Sequence, residues 1–363
     1  MTTSGAHIEF RGVQKRYGTM TAVEHFDAVI EPGSFVTLLG SSGSGKTTLL
    51  NMLAGFIEPS AGDILLDGKS IVSLAPEARN IGMVFQNYSL FPHMNVAQNV
   101  AFPLAMRKVR KSETERMVAD ALAAVQLSSL ARRMPRELSG GQQQRVAVAR
   151  AISFGPRVLL MDEPLGALDL KLREALQFEI KRIQRSTGST VVYVTHDQSE
   201  AMSMSDEIII LSEGRLVQRG SPKDVYDQPV NAFVATFVGQ SNTAAARRRG
   251  AVLGVPDWGL EIAADGLRGA RDCASPAVAL RPEKIRLSAP DHPLTDAEVS
   301  AAATIENVQM FGNNLMVHLR LSSGKLLLAQ QFRTTASDRD NLFVIGAAVR
   351  ARFNVEDLLV LND

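Results

Sequence analysis

Gly40, Gly45, Lys46 and Thr47 keep the spacing G-x-x-x-x-G-K-[ST], inside the run GSSGSGKTT at Gly40 to Thr48. Glycine, lacking a Cβ, lets backbone N–H groups come close to phosphate oxygens. A helix opening directly behind the loop adds roughly half an elementary charge of positive potential. Ser41, Ser42, Gly43, Ser44 and Thr48 complete the cradle. Lys46 is placed to neutralise the outer phosphates of a nucleoside triphosphate, and Thr47 to offer a hydroxyl oxygen to Mg²⁺. The run VLLMDE supplies a second part. Asp162 emerges from the apolar stretch Val158 to Met161 and can hold the same hard cation, directly or through water. Glu163 follows, poised to polarise an attacking water. His196 closes VVYVTH, and a catalytic or phosphate-sensing role is favoured over a purely structural strand end. Gln86 closes MVFQ in the same manner; the residues alone leave its role open.

A second turn has the equipment for anions. In LSGGQQQR, Leu138 to Arg145, Ser139 brings a hydroxyl, Gly140 and Gly141 bring permissive backbone, and Gln142 opens a helix. A structural helix cap accounts for the same residues. The stretch between the two turns carries Ser139 away from the loop at Gly40, so one chain is poorly placed to grip a single ATP with both. A symmetric dimer resolves this: the Ser139–Gly141 turn of one copy faces the triphosphate held by Lys46 of the other, and the two-fold axis makes two such sites.

These side chains need strands that end together. FVTLLG, NIGMVFQ, RVLLMDEP and TVVYVTH are short apolar runs, separated by helix-like stretches. That alternation predicts a parallel α/β sheet. TTLLNMLAGF predicts a helix stopped near Gly55, and GDILLDGKSI a hairpin arm. SETERMVADALAAVQL predicts an inserted helix with Met117, Val118, Ala121, Leu122 and Val125 on one face, opened by a Ser112–Glu115 capping box. After about Gly239 to Arg249 the chain turns strand-rich, as in NLMVHLRLSSGKLLLAQQF, which predicts small antiparallel barrels.

At 363 residues the chain suits two domains. Apolar residues at 45% and charged residues at 21% are ordinary for a globular protein. The net charge of +1 implies no broad pull toward nucleic acid or anionic lipid. The run Arg247 to Arg249 is taken as a solvated linker rather than a nucleic-acid patch. Cys273 is the single cysteine, so no intrachain disulfide can form, which suits a reducing compartment. The N-terminal residues carry no secretory pattern, and no apolar run approaches the ~20 residues of a spanning helix. A membrane role is expected to come through a partner.

GSSGSGKTT, LSGGQ, LLMDEP, GALD and VTHD stand in the order found in the nucleotide-binding subunits of ABC transporters. The chain resembles that family closely over about Ile8 to Phe237. The resemblance implies an α/β P-loop NTPase core at 1–239, with a helical subdomain at about 87–156. It implies that Lys46 is the phosphate-loop lysine, Asp162 the magnesium aspartate, Glu163 the catalytic glutamate and His196 the switch histidine. Gln86 is implied to meet both Mg²⁺ and the membrane subunit, Tyr17 to stack on adenine, and Asp169 to lie in the dimer-contact loop at the nucleotide. Gly166 stands where many relatives have serine. LRPEKIRLS and GAAVRARFNVEDLLVL are similar to the TOBE-type, OB-like β barrels of importer ATPases, implying such a domain at 240–363.

The family implies ATP and Mg²⁺ as cofactors and a homodimer at the cytoplasmic face of the membrane. It also implies two integral membrane permeases and an extracytoplasmic solute-binding protein, with no nucleic acid. RNIGMVFQNYSLFPHMNVAQNVAFPL resembles the polyamine and ferric-iron branch, and FVGQSN leans toward spermidine/putrescine. Another small solute or anion, a soluble ATPase clamp, and a ligand-sensing regulatory protein are the alternatives.

Overall fold

The computed structural model describes residues 5–166, 170–263, 267–269, 276–332 and 343–362. The chain divides into two compact units between Pro222 and Lys223. The first begins with β1 (Ile8–Tyr17), β2 (Met20–Ile30) and β3 (Phe35–Gly40), followed by α1 (Lys46–Ala54). A hairpin of β4 (Ala61–Leu66) and β5 (Lys69–Ser70) leads to β6 (Ile81–Val84). Three helices come next: α2 (Val96–Met106), α3 (Lys111–Ala124) and α4 (Gly140–Ile152). The unit then runs through β7 (Val158–Asp162), α5 (Leu170–Thr187), β8 (Thr190–Thr195), α6 (Gln198–Met204), β9 (Glu207–Ser212) and β10 (Arg215–Gly220).

All ten strands join one sheet in the order β5-β4-β1-β2-β10-β9-β3-β8-β7-β6. From β9 to β6 every neighbouring pair is parallel, and β1, β2, β4 and β5 pair antiparallel as a wing. The parallel strands are apolar without interruption because both faces are covered. The two-residue period sends alternate side chains to different cores. Val36, Leu38, Val158, Leu160, Val192 and Val194 pack with Leu49, Leu50 and Leu53 of α1. Phe35, Leu159, Met161, Val191 and Tyr193 pack on the other side, with residues of α2, α3, α4 and α5. Each fully buried aliphatic side chain is worth about 1.5–3 kcal/mol of transfer free energy, so the strand ends rest on a well-anchored platform.

In α3, Val118, Ala121 and Leu122 are buried in this second core with Val125, and Met117 packs against it, as the spacing predicts. Its start differs from expectation. The helix opens at Lys111 after Arg110, with no side-chain cap, so Ser112 and Glu115 form no capping box. Capping boxes stand instead at Asn95 with Gln98, opening α2, and at Ser139 with Gln142, opening α4.

The second unit opens with α7 (Pro222–Asp227) and α8 (Ala232–Phe237). Its strands are β11 (Asn242–Ala245), β12 (Arg247–Arg249), β13 (Val252–Val255), β14 (Leu260–Ala263), β15 (Arg268–Gly269) and β16 (Pro276–Leu280), then β17 (Arg286–Ser288), β18 (Glu298–Phe311), β19 (Asn314–Leu321), β20 (Leu326–Phe332), β21 (Ala348–Asn354) and β22 (Leu359–Asn362). They form sheets ordered β11-β16-β22-β15, β12-β13-β14 and β17-β21-β18-β19-β20. In the last sheet the end strands β17 and β20 also touch each other, curling it toward a barrel. Arg247 to Arg249 form an exposed edge strand, not a linker.

The two helices before residue 239, which the sequence reading groups with the first domain, are held inside the second unit by Arg281. Its Nη1 donates to the carbonyls of Ala235 (2.9 Å) and Val238 (2.7 Å), and Nη2 to that of Tyr226 (2.6 Å). Its guanidinium lies 3.9 Å over the Tyr226 ring, and Ala235 packs with Ala277, Ala279 and Leu361.

Candidate active site

Four adjacent parallel strands, β3, β8, β7 and β6, end at one edge of the sheet. Beyond them lie the Gly40–Thr48 loop, His196, Asp162 with Glu163, and Gln86. The register levels them: Leu39 pairs with Thr195, Asp162 with Val194, and Val84 with Met161. This is the carboxyl edge where open α/β sheets hold ligands.

The loop's glycines have steric causes. A Cβ on Gly40 would lie 2.4 Å from the Leu211 carbonyl oxygen, and one on Gly45 2.7 Å from that of Ala22, where φ is also +99°. Lys46, the first residue of α1, turns back across the loop. Its Nζ donates to the carbonyls of Gly40 (2.8 Å) and Ser41 (2.7 Å) and lies 3.5 Å from Ser44 Oγ. Burial pulls this ammonium below the ordinary lysine value, against the attraction of Glu163 and Asp162. Ser44 is buried, Ser41, Ser42 and Gly43 are exposed, and Thr48 is half-buried beside Thr47.

Thr47 Oγ1 donates to Asp162 Oδ1 at 3.1 Å, joining the loop to the acidic strand end. Burial raises the Asp162 carboxyl above the usual carboxylate range; Glu163 pushes the same way, while Thr47 and Lys46 oppose. Glu163 sits in the left-handed backbone region at φ 43°, uncommon for a non-glycine residue and costing of order 1–3 kcal/mol. Its N–H donates to the Val194 carbonyl at 3.0 Å. Its carboxylate lies between two neighbours: Gln86 Nε2 donates to Oε2 at 3.3 Å, and His196 Nδ1 lies 3.1 Å from Oε1. The structure therefore brings Lys46, Thr47, Gln86, Asp162, Glu163 and His196 into one connected cluster.

Among the described residues no three His, Cys, Asp or Glu side chains group to hold a metal. Beside the Glu163 carboxylate, which is taken up by Gln86 and His196, the oxygens present are the Thr47 hydroxyl, the Asp162 carboxylate and the Gln86 amide. Such a hard, sparse set fits Mg²⁺, which keeps several waters and shares ligands with substrate phosphates.

Tyr17 lies at the far end of β1, half exposed, with Lys15 Nζ 5.1 Å from its ring centre. It pairs with Met20, two residues before the Ala22 carbonyl that crowds Gly45. The structure thus sets its hairpin beside the loop. Ser139, Gly140, Gly141 and Gln142 form the first turn of α4 and its cap. Gln142 N–H donates to Ser139 Oγ at 3.4 Å, and Ser139 N–H to Gln142 Oε1 at 3.0 Å. A Cβ on Gly141 would lie 2.7 Å from Leu172 Cδ2. Among the described residues no hydrogen bond or ion pair joins this turn to the cluster around Lys46. Asp169 and Cys273 lie outside the described residues.

Two arginines missed in the sequence support the cluster. Arg150, near the end of α4, donates to the carbonyls of Tyr88 and Ser89, both at 2.8 Å. Those two residues take left-handed backbone, φ 57° and 48°, just beyond Gln86. Arg79 donates to the carbonyls of Met52 (2.7 Å) and Leu53 (2.9 Å), satisfying the carboxyl end of α1. The signal for Arg150 was a cation inside the otherwise apolar run VAVARAI.

A buried parallel sheet feeding a glycine-rich loop into a helix defines the P-loop nucleoside triphosphatase fold. Residues 23–166 match the family model described as ABC transporter, and residues 278–361 the one described as TOBE domain. The chain belongs to the ABC transporter ATPases, with a TOBE domain behind the ATPase core. It is similar to the spermidine/putrescine import ATP-binding protein PotA of Thermobifida fusca, at 46% identity over 98% of this chain and 93% of that protein. PotA of Oleidesulfovibrio alaskensis is 45% identical over 90% of this chain and 89% of its own. Among solved structures, a dimeric post-hydrolysis state of the ATP-binding cassette MJ0796 bound to ADP and Pi aligns with a TM-score of 0.54 and 32% identity, over 59% of this chain and 98% of that one. Among the described residues no helix is long and apolar enough to cross a membrane.

Proposed function

We propose that this chain is the ATP-hydrolysing subunit of an importer for polyamines of the spermidine/putrescine class. It works as a homodimer at the cytoplasmic face of the membrane, driving two permease subunits that receive solute from an extracytoplasmic binding protein. The observation that carries the motor is the level set of strand ends that gathers Lys46, Thr47, Gln86, Asp162, Glu163 and His196, with Thr47 bonded to Asp162 and both Gln86 and His196 on the Glu163 carboxylate. The cargo class rests on the relatives' names and on identity over nearly the whole chain.

In this proposal the Gly40–Thr48 loop cradles the phosphates of ATP, Lys46 neutralises the outer ones and Tyr17 stacks on adenine. Mg²⁺, held by Thr47, Asp162 and Gln86, supplies charge neutralisation at the phosphates when bound. Glu163 orients the water that attacks the γ-phosphorus and accepts its proton as the bond to ADP breaks. Gln86 and His196 fix the two Glu163 oxygens, so the left-handed carboxylate is aimed before ATP arrives. Ser139, Gly140, Gly141 and Gln142 of the second copy, with its Asp169 loop, close over the γ-phosphate.

A Glu163→Gln variant tests this. It keeps both neighbours within reach but loses the base. ATP binding should stay near the parent value and steady-state hydrolysis should fall by about 10²-fold or more, as general-base effects do. Near-normal turnover would remove Glu163 from its role.

A further inference from the structure

His196 reaches Glu163 from a short segment between β8 and α6, and the residues on both sides of it are tied into one network. Thr195 Oγ1 donates to Glu200 Oε2 at 2.8 Å and accepts the Asp197 N–H at 3.0 Å. Tyr193 Oη donates to the same Glu200 oxygen at 2.7 Å. Asp197 Oδ1 caps α6, accepting from Ser199 N–H at 2.8 Å and Glu200 N–H at 3.3 Å. Tyr193, Thr195 and Glu200 are buried to 2% exposure or less.

The ion pairs drawn to the two carboxylates both come from Arg173. Its Nη1 donates to Asp197 Oδ2 at 2.9 Å, and its Nε lies 3.9 Å from Glu200 Oε1. Arg173 stands in the first turn of α5, the helix that opens immediately after residues 167–169. A carboxylate pair, Glu200 buried and Asp197 half-buried, repels and relaxes when stripped of its cation, and the only main chain between Thr195 and Asp197 is that of His196. From this we infer that Arg173 is a positioning residue for His196, tying the angle of α5 to the histidine that meets Glu163. The inference rests on the proposed function, because it assigns His196 to the hydrolytic site. It makes the start of α5 a lever: a shift of that helix moves Arg173, and through Asp197 the histidine.

The test is a double-mutant cycle on steady-state MgATP hydrolysis by the full chain, with Arg173→Met, His196→Ala and both together. Arg173→Met should lower kcat about 10-fold with KM for ATP within about 3-fold, and Arg173→Lys should recover a good part of the loss. With His196 already replaced, adding Arg173→Met should change kcat by less than about 2-fold, because the two act through one group. Equal losses in both backgrounds, or an Arg173→Met enzyme within about 2-fold of the parent, would overturn the relay. Undiminished turnover in His196→Ala alone would remove the histidine from the site and the relay with it. Should Arg173→Met fail to fold, Asp197→Asn takes its place in the same cycle with the same outcomes, since it keeps one oxygen for the cap and puts an NH2 group, which cannot accept from Arg173, in place of the other.

Discussion

At the residue scale the site is a set of charges held where water would ordinarily stabilise them. Lys46 is buried with its ammonium on two loop carbonyls. Replacing it with alanine should weaken ATP binding itself, and an unchanged affinity by titration calorimetry would contradict its role. Asp162 makes a second prediction. Its folded-state pKa lies above its unfolded value because burial disfavours the anion. Its contribution to stability is therefore full below the unfolded pKa and is lost as pH rises through the folded one. At neutral pH the chain carries a carboxylate its fold disfavours. Asp162→Asn, which keeps an acceptor for Thr47, should melt no lower than the parent while losing Mg²⁺-dependent hydrolysis. A clear drop in Tm would contradict this. Lys46, Asp162 and Glu163 were legible because their chemistry demands fixed neighbours in sequence. Arg79, Arg150 and Arg173 were not, because their partners are distant carbonyls and carboxylates that only folding brings near.

Elements were legible wherever one periodicity ran unbroken. Phe35 to Gly40 and Thr190 to Thr195 are buried throughout and stood out as apolar runs. Helix starts were harder. Ser112 with Glu115 has the pattern of a capping box, yet α3 begins a residue earlier and leaves Ser112 inside. Ser139 with Gln142 does form one, so the hydroxyl proposed to meet the second copy's phosphate also caps its own helix. The second end of α4 carries Arg150, gripping the left-handed turn beyond Gln86. One helix therefore links the serine–diglycine turn to the Gln86 segment. Ser139→Ala should cost about 1 kcal/mol of stability, the usual loss of an N-cap, read from urea unfolding. A loss well above that would show the hydroxyl holds more than its own helix.

At the scale of the whole molecule, the change of texture near residue 239 was legible, but the helices α7 and α8 were not separable by pattern from those of the first unit. What assigns them is a buried arginine more than forty positions onward, reaching back to Ala235 and Val238. A fragment of residues 223–363 should therefore melt cooperatively, whereas 240–363 should melt lower or not fold, having lost those partners of Arg281. Equal stability of the two fragments by circular dichroism would contradict this. The proposed motor needs two copies. Within one chain the Ser139 turn caps its own helix and the Lys46 cluster is complete on its own side, so a shared triphosphate is what would join them. Sedimentation velocity of the Glu163→Gln chain with MgATP tests that most directly. A shift from monomer to dimer on adding ATP, reversed by Ser139→Arg, is the predicted result. A chain that binds ATP yet sediments as a monomer, alone and with the proposed permease subunits present, would contradict it.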